Sequence, residues 1–285
     1  MRGWRCLFAV FFIVQCASLV SSSNARAQMT FEESEAAWRS GKFGDDKKII
    51  EGQVVTRTGF FAWQVAIGYA EIPNNFAAQF CGGVSLSPSI VLTAAHCILQ
   101  AKDHPIFVLG GTAKLSAGGT RHAVSKSVVS PLYDAATKEN DLAVLKVDDN
   151  GLSGSLPVAD MPDALLDRTF LTISGWGVTD PDRRTSKSDD LREASVPTQT
   201  TDVCNAPDAL NGQVKASMFC AGNVNGGSDA CLGDSGGPAV VETPQGPYLV
   251  GLSSWGDGCG LAKKYGVYAR VFPYMNWIKT VADGN

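Results

Sequence analysis

Three short runs contain the residue types that nucleophilic catalysis needs: Thr93-Ala94-Ala95-His96-Cys97, Asn140-Asp141-Leu142-Ala143 and Gly233-Asp234-Ser235-Gly236-Gly237-Pro238. A serine hydroxyl is a poor nucleophile until a base takes its proton, and imidazole, with a reference pKa of about 6.5, can do so at neutral pH. The chemistry on offer has Ser235 as nucleophile and His96 as its base. Each run alone also has a plainer reading. A Gly-rich hexapeptide can be a turn, a His beside a Cys can be core packing, and Asp141 alone can be a surface charge.

These residues must be held by whatever elements surround them. Between residues 49 and 271 the chain consists of short apolar runs broken by Gly, Pro or Ser, among them Trp63 to Ile67, Ile90 to Thr93, Leu142 to Val147, Phe170 to Ile173, Leu249 to Leu252 and Val267 to Val271. Short strands separated by turn residues predict an all-β sandwich or barrel. No repeat of 20 to 50 residues is visible, which argues against a solenoid or propeller. At the C-terminus, Tyr274, Trp277, Ile278 and Val281 fall at i, i+3, i+4 and i+7, with Pro273 before them and Gly284 after, which predicts an amphipathic helix packed on the β structure. Leu156 to Pro162, with two prolines, is the candidate crossing between two halves.

The chain has 285 residues, 45% hydrophobic and 18% charged, with a formal charge of -4. That composition can bury a core, and an acidic balance gives no reason to expect nucleic acid or an anionic membrane as partner. Residues 1-27 read as a secretory signal: Arg2 and Arg5 form a basic start, Leu7 to Val20 is apolar, and Ala25-Arg26-Ala27 is a cleavage pattern. The apolar run, interrupted by Gln15 and Ser18, is shorter than the roughly 20 residues needed to span a bilayer. A secreted protein, extracellular or periplasmic, is therefore expected, with no membrane contact once the signal is gone. Residues 28-48 are more polar, and Thr30 with Glu33 is a capping pair for a short helix over Phe31 to Arg39.

Removing the signal leaves Cys81, Cys97, Cys204, Cys220, Cys231 and Cys259. Six thiols in an exported chain read as three disulfides, with 15 pairings open to them. No C-x-x-C pair exists and His96, His104 and His122 form no ligand cluster, so neither a metal nor another cofactor is expected.

Taken together, the three runs and their order of His, Asp, Ser resemble the chymotrypsin/trypsin family of serine proteases, from Ile49 to the C-terminus. The resemblance implies two antiparallel β-barrels, roughly 49-160 and 161-285, with the active site between them. It implies that Asp141 orients His96 and that Ser254 supports Asp141. The backbone N-H groups of Gly233 and Ser235 would form the oxyanion hole. It selects the pairs Cys81 with Cys97, Cys204 with Cys220 and Cys231 with Cys259. An inactive relative on the same fold is the competing reading; such proteins usually lose a member of the triad, and all three are present here.

The same resemblance places Asp229 at the base of the primary specificity pocket, with Trp255, Gly256 and Gly266 along its walls. A carboxylate there favours substrate Arg or Lys, and Ala230 in place of a hydroxyl residue favours Arg. Lys138 falls beside the neighbouring subsite, where a cation disfavours a second basic substrate residue. The stretch Asn205 to Lys215 lacks the tyrosine common in trypsins. From Leu109 to Val129 there is no Asp or Glu, so the family's calcium loop is not expected to bind calcium.

Ile49-Ile50-Glu51-Gly52 resembles the family's mature N-terminus, so cleavage after Lys48 would free the amine of Ile49 to pair with Asp234. Residues 28-48 contain no Cys and should be lost on cleavage. A separate activating protease is expected, because Ala230 and Lys138 both disfavour self-cleavage at Lys47-Lys48. Protein or peptide substrates and a monomeric enzyme complete the expectation. Residues 1-48 carry seven Lys/Arg and five Asp/Glu, so their removal leaves a charge of -6.

Overall fold

Alternation and short apolar runs build strands here, and bulges bend those strands until they close. The computed structural model describes residues 30-40, 50, 52-56, 61-159, 169-183 and 185-284. Residues 1-27, expected to be a secretory signal, and the Lys48-Ile49 junction lie outside these residues.

The first barrel comprises β2 (Gln64–Tyr69), β3 (Gln79–Ser87), β4 (Ile90–Thr93), β5 (Ile106–Gly110), β6 (Thr120–Val129) and β7 (Ala143–Val147). They pair antiparallel in the ring order β2-β3-β4-β7-β6-β5, and β5 returns to β2. Register shifts at Ile67/Gly68, Ser85/Ser87 and Val124/Lys126 supply the local bending that closure needs. Val65, Ile67, Leu92 and Leu145 fill the interior at 0% exposure.

The second barrel comprises β8 (Phe170–Gly175), β9 (Arg192–Gln199), β10 (Met218–Ala221), β11 (Pro238–Thr243), β12 (Gly246–Trp255) and β13 (Gly266–Arg270). It closes because β8 pairs with β9 on one side and β11 on the other. The expected all-β fold, two antiparallel barrels with a C-terminal helix, is the fold observed. One strand crosses the expected division of the chain. The short β1 (Gln53–Val54) precedes the first barrel in sequence yet pairs with β9 of the second, Gln53 opposite Glu193.

Among the described residues the helices are few and short: α1 (Phe31–Ser40), α2 (Asn75–Ala78), α3 (Ala95–Ala101), α4 (Thr201–Cys204) and α5 (Met275–Ala282). The predicted capping box is present in α1, where the Thr30 N-H donates to Glu33 Oε2 at 2.9 Å and the Glu33 N-H to Thr30 Oγ1 at 3.2 Å. Its Phe31 ring stacks on His104 at 3.9 Å and meets Tyr69 edge-on at 5.3 Å. Helix α5 follows a 3-10 turn, Phe272–Tyr274, that contains Pro273. Its Ile278 and Val281 are buried in the same core as Leu92 and Leu145, so the end of the chain packs on the first barrel.

Three disulfides join Cys81 to Cys97, Cys204 to Cys220 and Cys231 to Cys259, with Cα separations of 6.3, 6.5 and 5.5 Å. These are the pairs that the family resemblance implies. Cys81, His96 and Cys97 also form a compact group of metal-ligating types. Its two sulfurs are bonded to each other, so the group presents no thiolate.

Candidate active site

Three separate segments meet where the two barrels face each other. His96 is the second residue of α3, which leaves β4 through the extended Ala94. Asp141 sits just before β7, after Asn140, whose backbone adopts φ 57. That left-handed turn is held on three sides. Asn140 Nδ2 donates to the Leu132 carbonyl at 2.6 Å, its N-H donates to Ser217 Oγ at 3.2 Å, and the Tyr274 hydroxyl donates to its Oδ1. Tyr274, placed by the C-terminal turn, therefore helps aim Asp141.

Asp141 is fully buried, at 0% exposure, and accepts three hydrogen bonds. His96 Nδ1 donates to Oδ2 at 2.7 Å, the His96 N-H to Oδ1 at 2.9 Å and Ser254 Oγ to Oδ2 at 2.5 Å. Burial pushes this carboxyl up, but the neighbouring His96 charge and these donors outweigh it and hold the group below its ordinary range. An ionised carboxylate only accepts, so the proton on His96 must sit at Nδ1, leaving a lone pair on Nε2. The imidazole is thereby prepared to act as a base.

Ser235 lies on the loop between Cys231 and β11, and both barrels hold its main chain. The Gly82 N-H of β3 donates to the Ser235 carbonyl at 2.8 Å, and the Gly236 N-H donates to the Ser253 carbonyl of β12 at 2.7 Å. Gly236, at φ +79, has no room for a side chain: a Cβ would lie 2.2 Å from Thr93 Oγ1 and 2.5 Å from the Gly82 carbonyl oxygen.

Gly233 adopts φ +95, and the peptide on each side of it is held. The Leu232 carbonyl accepts the Val178 N-H at 2.6 Å, and the Gly233 carbonyl accepts Gln79 Nε2 at 2.8 Å. In a trans peptide the N-H points opposite to the carbonyl it shares a plane with, so the Gly233 N-H is turned away from Val178.

Asp234 is buried beside Ser235. Its Oδ1 accepts the Gly177 N-H at 2.7 Å and its Oδ2 the Cys231 N-H at 2.9 Å. Gly175 and Gly177 give the carboxylate its space, since a Cβ at either would come within 2.1 Å of Oδ1 or 2.5 Å of Cγ.

Asp229 is buried too, six residues before Ser235. Its Oδ2 accepts the Gly260 N-H at 3.0 Å, and its backbone bridges to Ile50. Gly266 passes alongside: a Cβ there would lie 2.7 Å from Asp229 Oδ1 and 3.2 Å from the Tyr268 hydroxyl. Ala230, Ser254 and Gly256 are buried and Trp255 partly so, with Trp255 paired to Val267 across β12 and β13. Lys138, at φ 62, turns its Nζ to the Tyr133 hydroxyl at 3.3 Å.

The fold thus brings together His96, Asp141 and Ser254 in direct contact, and places Gly233, Asp234 and Ser235 on one loop with Asp229 and Ala230 leading into it. Lys48 and Ile49 lie outside the described residues. Gln79, Gly175, Gly177 and Tyr268 complete the surroundings and were not singled out from sequence. The pair of glycines flanking Trp176 was the available signal for two of them. A family model described as Trypsin matches residues 49–278.

Proposed function

Because the chain belongs to the trypsin family of serine proteases, we propose that it is a secreted serine endopeptidase that cleaves after Arg and, less well, Lys. The observation that carries the reading is the buried Asp141 carboxylate 2.7 Å from His96 Nδ1, on a site whose nucleophile loop is locked to both barrels. Ser235 Oγ attacks the scissile carbonyl carbon while His96 Nε2 takes its proton. Negative charge then gathers on the former carbonyl oxygen, and the N-H groups of Gly233 and Ser235 receive it, an effect of about 3 kcal/mol per donor. His96 returns the proton to the leaving amine, an acyl-enzyme forms on Ser235, and water hydrolyses it by the same proton route. Asp141 stays ionised throughout and stabilises the imidazolium.

Asp229 selects the substrate. A buried carboxylate with a glycine beside it accepts a long cationic side chain and rejects residues that leave its charge unmatched. Ala230 offers no hydroxyl to solvate a Lys ammonium, which favours Arg.

The chain is made as a zymogen, with 1-27 as signal, 28-48 as propeptide and 49-285 as the protease. Cleavage after Lys48 by a separate protease frees the Ile49 amine for Asp234. Among the described side chains of α1, Phe31 is the one stacked on the protease domain. Residues 28-48 contain no Cys, so no disulfide retains the propeptide once its covalent link is cut. Among the described residues no helix is long and apolar enough to cross a membrane.

A peptide-library cleavage profile of the processed protein tests this reading. Cuts concentrated after Arg support it. Failure to cut, with no labelling of Ser235 by an active-site serine reagent, overturns it in favour of a catalytically silent binding protein on the same fold.

A further inference from the structure

Lys187 lies in the run Arg183-Arg184-Thr185-Ser186-Lys187-Ser188-Asp189-Asp190, where a cation reads as solvated. It is buried instead, at 6% exposure. Its Nζ donates to the main-chain carbonyl of Gln79 at 2.7 Å and lies 4.9 Å from the centroid of the Phe76 ring. A methionine would fill similar volume without burying an amine, so what the amine holds matters.

Two supports orient the peptide at Gly233, and Lys187 touches both. One is the Val178 N-H, which donates to the Leu232 carbonyl at 2.6 Å; Val178 is itself bridged to the backbone of Lys187. The other is Gln79, whose Nε2 donates to the Gly233 carbonyl at 2.8 Å while its own carbonyl receives the Lys187 amine. Rotation of the Leu232-Gly233 peptide would break the first support and turn the Gly233 N-H away from the site. The far side of the same loop is anchored separately, by Lys114 to Asp189 at 3.1 Å and the Ser116 N-H to Asp189 at 2.7 Å. Removing the amine thus cuts the tie from this loop to Gln79, while the Ser188 N-H bond to the Trp176 carbonyl at 3.1 Å keeps the loop itself in place.

We propose that Lys187 is a positioning residue that fastens loop 179-190 to Gln79 and so keeps the Gly233 N-H aimed at the reacting oxygen. The inference rests on the serine protease reading of Ser235 and Gly233. The amine donates to the Gln79 carbonyl whether charged or neutral, so the effect does not depend on its titration.

The test compares the processed enzyme with Lys187→Met, Gln79→Leu and the double variant, each normalised to Ser235 labelled to completion by a serine reagent. Two inhibitors separate the causes: a peptide arginine aldehyde, whose Ser235 adduct carries the oxyanion, and benzamidine, which reaches only the specificity pocket. Loss of a whole oxyanion donor costs about 10²–10³-fold in kcat, so its partial misalignment should cost roughly tenfold. Lys187→Met should lower kcat and aldehyde affinity by about tenfold, with KM and benzamidine affinity within about twofold. In the Gln79→Leu background it should add little, because the Lys187 amine acts through the Gln79 side chain. Unchanged kcat and aldehyde affinity overturn the inference, as do additive effects or a parallel loss of benzamidine binding. Should Lys187→Met fail to fold, Gln79→Leu decides alone, and unchanged kcat there overturns the link to Gly233. An inert wild type that takes no serine reagent overturns the underlying reading and the inference with it; an active wild type with an unaffected Lys187→Met overturns the inference alone.

Discussion

Replacing Lys187 by methionine, in a precursor silenced by Ser235→Ala, should change how stability responds to pH. Burial pushes the Lys187 amine down from 10.5 to about 7, with the charge of Asp189 opposing it only in part. Below both values the amine is protonated in the folded and unfolded chains alike, and the folded chain bears the full cost of a buried charge. Between them the unfolded chain holds a proton that the folded chain lacks, so stability rises with pH. Each pH unit inside that window is worth at most about 1.4 kcal/mol. Integrated from about pH 6 to about pH 8.5, the gain is about 2 kcal/mol for lysine and none for methionine. Urea unfolding followed by tryptophan fluorescence, with disulfides intact and reversibility checked, gives the difference between the two proteins at each pH. Taking that difference cancels the groups that titrate alike in both. A difference that stays flat within about 0.5 kcal/mol would refute the argument that burial of this amine outweighs the charge of Asp189. A gain in the opposite direction would mean that folding raises its affinity for protons.

Asp141→Asn should leave substrate binding nearly intact and lower kcat by about 10⁴-fold, since an amide can no longer require the Nδ1 proton on His96; steady-state rates on titrated enzyme measure it. Because folding depresses the Asp141 pKa, its stabilising contribution is present above the ordinary carboxylate value and fades as pH falls through the folded one, a limb that Asp141→Asn should lack. Gly177→Ala places a Cβ 2.5 Å from Asp234 Cγ, so the carboxylate must move; hydrolysis should fall at least about 100-fold while the circular dichroism of the barrels persists. Asp229→Asn leaves a cationic substrate residue without its counter-charge, which costs about 3–5 kcal/mol, and kcat/KM on an Arg peptide should drop by about two to four orders of magnitude.

The candidate chemistry was readable from sequence because a serine, a histidine and the glycines around them occur in compact runs. His96 and Asp141 stand 45 residues apart, and no local pattern says that they touch; their order along the chain carried that information through the family resemblance. Helix α5 was legible from its 3.6-residue period, and the strands at Ile90–Thr93 and Gly266–Arg270 from their apolar runs. Strand β6, Thr120–Val129, was not, because most of its side chains are exposed or half-exposed and its run is polar. Nor was the pairing of β1 with β9, which depends on where the first barrel leaves its own entry segment. Gln79 and Lys187 escaped for a related reason. A polar side chain in a polar stretch looks solvated, and only the closing of one barrel against the other buries it.

The nucleophile loop receives one main-chain hydrogen bond from Gly82 and gives another to Ser253, on different barrels. Ser235 is therefore less a residue of the second barrel than a seam between two bodies. Its placement carries the same sensitivity as an interface, and local opening at such a boundary costs less than global unfolding. Heat or denaturant that loosens the seam should abolish the proposed activity while each barrel still keeps its own sheet, so that activity would report on the fit between the halves before it reports on either half.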